Sequence, residues 1–323
     1  MPTKKKYEFE ELKNMIKEWN PDCEAITLST ILSKIKTNNT LHVINSGNPG
    51  TGKSRSSLEL VKKIDDDNTI FLDNTTTDRG LFETFMEYPD SDIILDECST
   101  LLRSLRTQDM IKLCMESKPI TWTKKGESEE TQPYTGTIII NTNNNLSDSV
   151  TDRCLYNEAV MNRDRALNFL DVYKNKDETK HNEFLNYCKK RIRSKETTPL
   201  TLAEIDKIIS FVRDKIKVAD ENQNFSRRIL LRQLVYFEKA KKFFTELKPE
   251  TFNYLLGLSE AYITNNHAPS LIEHLLSNGG MEKPKLVKEV SKQGSYSTTH
   301  ARRLINEEIR NGKLTLKGKT VHL

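Results

Sequence analysis

One octapeptide limits what this chain can fold into more than any other feature. Residues Gly47-Asn48-Pro49-Gly50-Thr51-Gly52-Lys53-Ser54 fill the pattern G-x-x-x-x-G-K-[ST] at every fixed position. Glycines let a backbone wrap closely around a phosphate, and the successive N–H groups and the following helix N-terminus then face the anion. The apolar run Leu41–Asn45 predicts a strand entering the loop, and Arg55–Ile64 predicts a helix leaving it. With those flanks the loop reads as a nucleotide site rather than a glycine-rich turn that happens to carry Lys-Ser. Lys53 is then expected to reach the β- and γ-phosphates of ATP, and Ser54 to offer its hydroxyl to Mg²⁺.

A second element fits the first. Asp92-Ile93-Ile94-Leu95-Asp96-Glu97 is an apolar strand that ends in two acids. Asp96 is the candidate to join Ser54 at the metal, and Glu97 the candidate to orient and deprotonate an attacking water. Further strand-length runs, Thr69–Leu72 and Thr137–Ile140, alternate with helical stretches, which predicts an α/β fold with a parallel sheet. Two helices, Phe9–Trp19 and Ile26–Ile35, are expected ahead of it. A chain of 323 residues has room for about two or three domains. No apolar run approaches the ~18 residues of a spanning helix, and the N-terminus carries no apolar targeting segment. The five cysteines are scattered without a C-x-x-C pair, which argues against a zinc ribbon or a disulfide framework. The expectation is a soluble cytoplasmic protein without a membrane partner.

From Thr137 the chain runs Thr137-Ile138-Ile139-Ile140-Asn141-Thr142-Asn143, with Asp152-Arg153-Cys154 following. Here it resembles the AAA+ superfamily of ATPases, over about residues 25–265. The resemblance implies that Asn143, with Asn141 as the second candidate, is the "sensor 1" amide beside the γ-phosphate. It implies that Arg153 is an arginine finger reaching the ATP of a neighbouring subunit in a ring-shaped homo-oligomer, typically a hexamer. Leu155–Val160 would be the fifth strand, and the helical sequence beyond it the superfamily's lid. A sensor-2 arginine would come from Ser226-Arg227-Arg228-Ile229-Leu230-Leu231-Arg232, with Arg228 first and Arg232 behind it. The helix Ile229–Phe244 is expected to turn Leu231, Leu234, Val235 and Phe237 to the core.

Between the acidic strand and the sensor strand, Pro119–Ser128 alternates up to Lys124-Lys125-Gly126 and predicts a hairpin. It resembles the pre-sensor hairpin of superfamily 3 and minichromosome-maintenance helicases, which projects into a central pore and grips DNA. That resemblance implies phosphate contacts from Lys124 and Lys125, with Trp122 buttressing or stacking. A plain exposed Lys-Gly turn is the alternative, and Glu127, Glu129 and Glu130 weaken the basic character.

The last stretch is basic. Met281–Leu323 carries seven Lys and three Arg against four Glu, a balance of +6 in a chain whose total is +4. Helical runs Leu271–Leu276, Lys285–Lys292 and Ser297–Asn311 precede an alternating tail, Lys313–Leu323, folded around a Lys-Gly turn. Three helices and a hairpin resemble a winged helix. By that resemblance Ser297, Thr298, His300, Arg302 and Arg303 would face the DNA major groove, and Lys317 and Lys319 would touch phosphate from the wing. Protein docking is the other use of such a module.

The resulting expectation is a P-loop AAA+ core with a parallel sheet (residues 1–160), a helical lid (161–266) and a small winged-helix domain (267–323). Its activity would be Mg²⁺-dependent ATP hydrolysis that unwinds, translocates on or remodels DNA, as a replication helicase or initiator with partner proteins. A helicase loader or transposition regulator is the nearest rival. An ATP-gated transcription or signalling switch is the more distant one.

Overall fold

Val43 and Ile44, Ile93 to Leu95, and Ile138 to Ile140 are all 0 % exposed, the signature of strands covered on both faces. The fold is taken from a computed structural model. It describes residues 7–21, 23–47, 49–124, 127–143, 146–159, 167, 169–171, 177–192, 199–217, 228–244, 247–260, 271–276, 279–293, 298, 301–302, 305–306, 309 and 314–322.

Helices α1 (Phe9–Trp19) and α2 (Glu24–Lys34) lead into strand β1 (Val43–Gly47). A π-helical turn, Arg55–Glu59, then continues as α3 (Leu60–Ile64). Next come β2 (Thr69–Leu72), α4 (Asp78–Glu87), β3 (Asp92–Asp96), α5 (Ser99–Leu102) and α6 (Leu105–Met115). The hairpin β4 (Thr121–Lys124) and β5 (Glu127–Glu130) precedes β6 (Ile138–Thr142), α7 (Asp148–Thr151) and β7 (Leu155–Ala159). Five of these strands form one sheet in the order β2-β3-β6-β1-β7, with every neighbouring pair parallel. The chain is thus α/β with a five-stranded parallel sheet. β1 begins two residues later than the apolar run and extends to Gly47, because Gly47 still pairs with Ala159 of β7.

One face of the sheet packs Ile44, Ile93, Leu95, Ile138 and Ile140 against Leu81, Phe82 and Phe85 of α4 and Met110 and Ile111 of α6. The other face sets Val43, Ile94 and Ile139 against Val61 of α3. Underneath, Lys34 and Asp92 are buried at 0 % exposure and joined at 2.5 Å, with Asp65 2.9 Å from the same ammonium.

Beyond the sheet, helices α8 (Glu178–Ile192), α9 (Leu202–Lys217), α10 (Arg228–Phe243) and α11 (Pro249–Ser259) share one apolar cluster with α1 and α2. α1 joins it through Leu12, Met15, Ile16 and Trp19, a helical stripe. Lys239 and Lys242 of α10 also donate to the carbonyls of Ile35 and Lys36, at 2.5 and 2.6 Å. In α10 the buried face carries Ile229, Arg232, Val235, Tyr236, Phe237 and Phe243. Leu231, expected in the core, is instead 57 % exposed. Two residues turn a helix by about 200°, so a face that buries Ile229 directs Leu231 outward.

The C-terminal module comprises α12 (Leu271–Leu276), β8 (Met281–Glu282), α13 (Lys283–Gln293), helical residues between 298 and 309, β9 (Thr315–Lys317) and β10 (Thr320–His322). Its strands form an antiparallel sheet in the order β8-β10-β9. Leu276, Leu286, Val290, Ala301, Ile305 and Val321 fill its own small core. Sequence reading missed β8, because two residues are too few to show a period. Among the described residues no helix is long and apolar enough to cross a membrane.

Candidate functional site

The loop Gly47–Ser54 leaves the C-terminal end of β1, in the middle of the sheet. Gly47 has φ +138°, and a Cβ there would lie 2.2 Å from the Ala159 carbonyl oxygen, so only glycine fits. Asn48 lies outside the described residues, and Pro49 and Gly50 are exposed at the loop's tip. Lys53 opens the helix yet is only 7 % exposed, because its chain folds back over the loop. Its Nζ donates to the Gly47 carbonyl at 2.7 Å and to Asn143 Oδ1 at 2.8 Å. Burial holds the ammonium's pKa below its ordinary value, against the opposing pull of Glu97 and Asp96. Ser54 Oγ donates to Asp96 Oδ1 at 2.8 Å.

Asp96 ends β3, one strand removed from β1, and β6 lies between them. Asn141 of β6 donates through Nδ2 to the same Asp96 Oδ1 at 2.7 Å. The two asparagines proposed for one role therefore divide: Asn141 serves Asp96, while Asn143 serves Lys53. Glu97 leaves the strand in the left-handed region, at φ 53°, and is exposed. Its N–H donates to the Asn141 carbonyl at 3.2 Å. A glutamate held in that region carries backbone strain, and such strain clusters at functional sites.

Several neighbours of the site escaped the sequence reading. The turn between α1 and α2 packs on the loop: Asn20 Nδ2 donates to the Gly52 carbonyl at 3.3 Å and also bonds Ser56 Oγ. Cys23 Sγ reaches the Thr51 carbonyl at 3.4 Å. Asn45 and Asn157, in β1 and β7, are 0 and 3 % exposed.

The arginines lie elsewhere. Arg153 sits two residues before β7, at the edge of the sheet where β1 begins, whereas the loop leaves the edge where β1 ends. Its Nε donates to Glu116 Oε1 at 2.8 Å, and Nη2 bonds the same oxygen. Arg228, expected to sense the nucleotide from the lid, is not brought to the loop. It pairs with Glu116 at 3.1 Å and Asp152 at 3.6 Å. Arg232 pairs with Asp152 at 3.3 Å. The physical reason is that α10 starts against these two carboxylates. Lys118 and Arg153 together hold the Glu116 carboxyl down to about 2.

The hairpin β4–β5 forms with Lys124 opposite Glu127. The Lys124 side chain and all of Lys125 lie outside the described residues. Trp122 packs beside Phe82, with ring centroids 5.4 Å apart. The Arg106 guanidinium covers it at 3.4 Å from the ring centroid. Trp122 thus buttresses the hairpin. In the C-terminal module Thr298, Arg302, Lys317 and Lys319 are exposed, with Lys319 in the turn between β9 and β10. Ser297, His300 and Arg303 lie outside the described residues.

No protein-family model and no curated protein sequence matches the chain.

Proposed function

We propose that the chain is an AAA+-type ATPase that assembles as a ring on DNA and uses ATP to unwind, translocate on or remodel it. One observation carries the ATPase reading. Lys53, Ser54, Asp96, Asn141 and Asn143 meet where three adjacent strands end, in two sets of hydrogen bonds of 2.7–2.8 Å: Lys53 on Asn143, and Ser54 with Asn141 on Asp96. That is the arrangement expected for a cradle of phosphates with a metal at its side.

The donor chemistry fits Mg²⁺ with ATP. Ser54 and Asp96 offer hard oxygen ligands from one side, and Mg²⁺ is commonly held by one or two such groups, with phosphate and water completing its shell. When bound, the ion would neutralise charge on the transferring phosphate. Lys53 is poised on a backbone carbonyl and a neutral amide, within the electrostatic reach of Glu97 and Asp96. Glu97, re-aimed by its left-handed backbone, would orient and deprotonate water, and Asn143 would hold Lys53 and the terminal phosphate in register.

Support for DNA as the partner is the basic C-terminal module, which resembles a winged helix, and the hairpin that precedes the sensor strand. The Glu-rich strand β5 and the covered face of Trp122 favour a second reading, a loader or ATP-gated DNA-binding switch that does not grip single strands. The test is steady-state ATP hydrolysis without DNA, with single-stranded DNA and with duplex, using Lys53→Ala as the blank. Strong stimulation by single strands is the result expected of a motor. Turnover indifferent to every DNA would sink the motor reading and leave the switch or loader.

A further inference from the structure

Four polar residues stand in register across four neighbouring strands: Asp96 of β3 beside Asn141 of β6, Asn141 beside Asn45 of β1, and Asn45 beside Asn157 of β7. The side chains are bonded in the same order. Asn141 Nδ2 donates to Asp96 Oδ1 at 2.7 Å, Asn45 Nδ2 to Asn141 Oδ1 at 2.9 Å, and Asn157 Nδ2 to Asn45 Oδ1 at 2.8 Å. Asn157 Nδ2 also donates to Ser29 Oγ of α2 at 2.8 Å, and Ser57 Oγ donates to Asn141 Oδ1 at 2.9 Å. The three amides are 0–3 % exposed.

The direction of the chain is forced. A carboxylate can only accept, so Asn141 must present its NH₂ to Asp96 and its oxygen to Asn45. The same logic then fixes Asn45 and Asn157, and every donor points toward Asp96. Buried amides are costly unless bonded. Apolar side chains would serve a sheet interior as well or better, so the core does not need three of them in line.

We propose that Asn45 and Asn157 are positioning residues for the phosphate site. Acting through Asn141, they hold the Asp96 carboxylate in one orientation beside Ser54 and tie it to Ser29 of α2. The proposal rests on the reading of Ser54 and Asp96 as a Mg²⁺·ATP site and deepens it. Neither residue touches nucleotide or metal. Their effect is therefore on how readily Mg²⁺ is used, not on whether the loop takes a nucleotide.

The experiment measures binding of a fluorescent ATP analogue to the full chain, in EDTA and across a Mg²⁺ titration, with thermal unfolding alongside. Asn45→Leu is the first variant, because Asn141 Oδ1 keeps Ser57 and Asn157 Nδ2 keeps Ser29, so neither is left without a bond. Asn157→Leu repeats the measurement one step further from Asp96. Expected is affinity in EDTA within about twofold of the parent, while the Mg²⁺ concentration for half-maximal effect rises about tenfold in Asn45→Leu, the size typical of residues behind a metal ligand. Asn157→Leu should move it less. A Mg²⁺ half-point equal to the parent's in both variants, whatever happens to the melting temperature, overturns the proposal. A parent chain that binds no nucleotide, or binds it without regard to Mg²⁺, overturns the underlying reading instead, and that failure is visible before any variant is made.

Discussion

Glu97 gives a prediction in which stability and activity move in opposite directions. Its φ of 53° is the left-handed region, which costs an L-residue about 1–2 kcal/mol. Glycine adopts it without that cost, but loses about 0.5–1 kcal/mol more backbone entropy on folding. The side chain is exposed, so its removal forfeits little packing. The backbone bonds at this position, to the Asn141 carbonyl and from Ser99 N–H at 2.7 Å, are available to glycine equally. Glu97→Gly should therefore stabilise the chain by about 0.5–1 kcal/mol, read as a higher urea midpoint at unchanged slope. It should also lower ATP turnover by about 10²-fold or more, because the group proposed to activate water is gone. Glu97→Gln separates the two effects. It keeps the strained backbone and loses the base, so it should match the parent in urea and the glycine variant in turnover. A Glu97→Gly chain less stable than Glu97→Gln would refute the strain argument. Full turnover in either variant would refute the role given to the carboxylate.

Gly47→Ala should cost about 2 kcal/mol more than Gly50→Ala, since both have positive φ but only Gly47 faces a backbone atom 2.2 Å from the added carbon; equal melting temperatures would remove the close-approach argument. Lys34→Met should cost about 3–5 kcal/mol by leaving Asp92 buried with only the half-exposed Lys36 and the Thr137 N–H, and a urea-measured loss under about 1 kcal/mol would contradict it. Burial pushes the Lys239 ammonium down to about 7, so between pH 7 and about 10 the unfolded chain binds more protons and stability rises with pH. Parent minus Lys239→Met stability should show that rise, and a flat difference would refute it. If Arg153 serves a neighbour's site, an equal mixture of inactive Lys53→Ala and Arg153→Ala chains should regain about a quarter of parental turnover, because one site in four then pairs an intact lysine with an intact arginine. A mixture that stays inactive would place Arg153 outside that role.

The legible features of this chain are those whose physics is local. A glycine-rich loop, an apolar strand closing on two acids and a chain of strand-length runs each state their conformation within ten residues, and the sheet follows from their alternation. Asn45 and Asn157 were illegible for the opposite reason: what gives them partners is register, and register appears only when β1 is set between β6 and β7. Leu231 shows the same limit inside one helix, where the spacing of Leu231, Leu234, Val235 and Phe237 suggested an apolar face but the phase set by Ile229, Tyr236 and Phe243 turned Leu231 outward. Arg228 is the most instructive case. Its sequence position permits a reach to the loop, but α10 is anchored by Lys239 and Lys242 under α2 and starts against Glu116 and Asp152. The five-residue β1 separates that edge from the loop by about 13 Å at some 3.3 Å per residue. Within a single chain these arginines therefore lie at the opposite end of β1 from Lys53, Ser54 and Asp96. If both take part in one hydrolysis, they do so between copies, and the carboxylates of Glu116 and Asp152 are what each arginine must first leave.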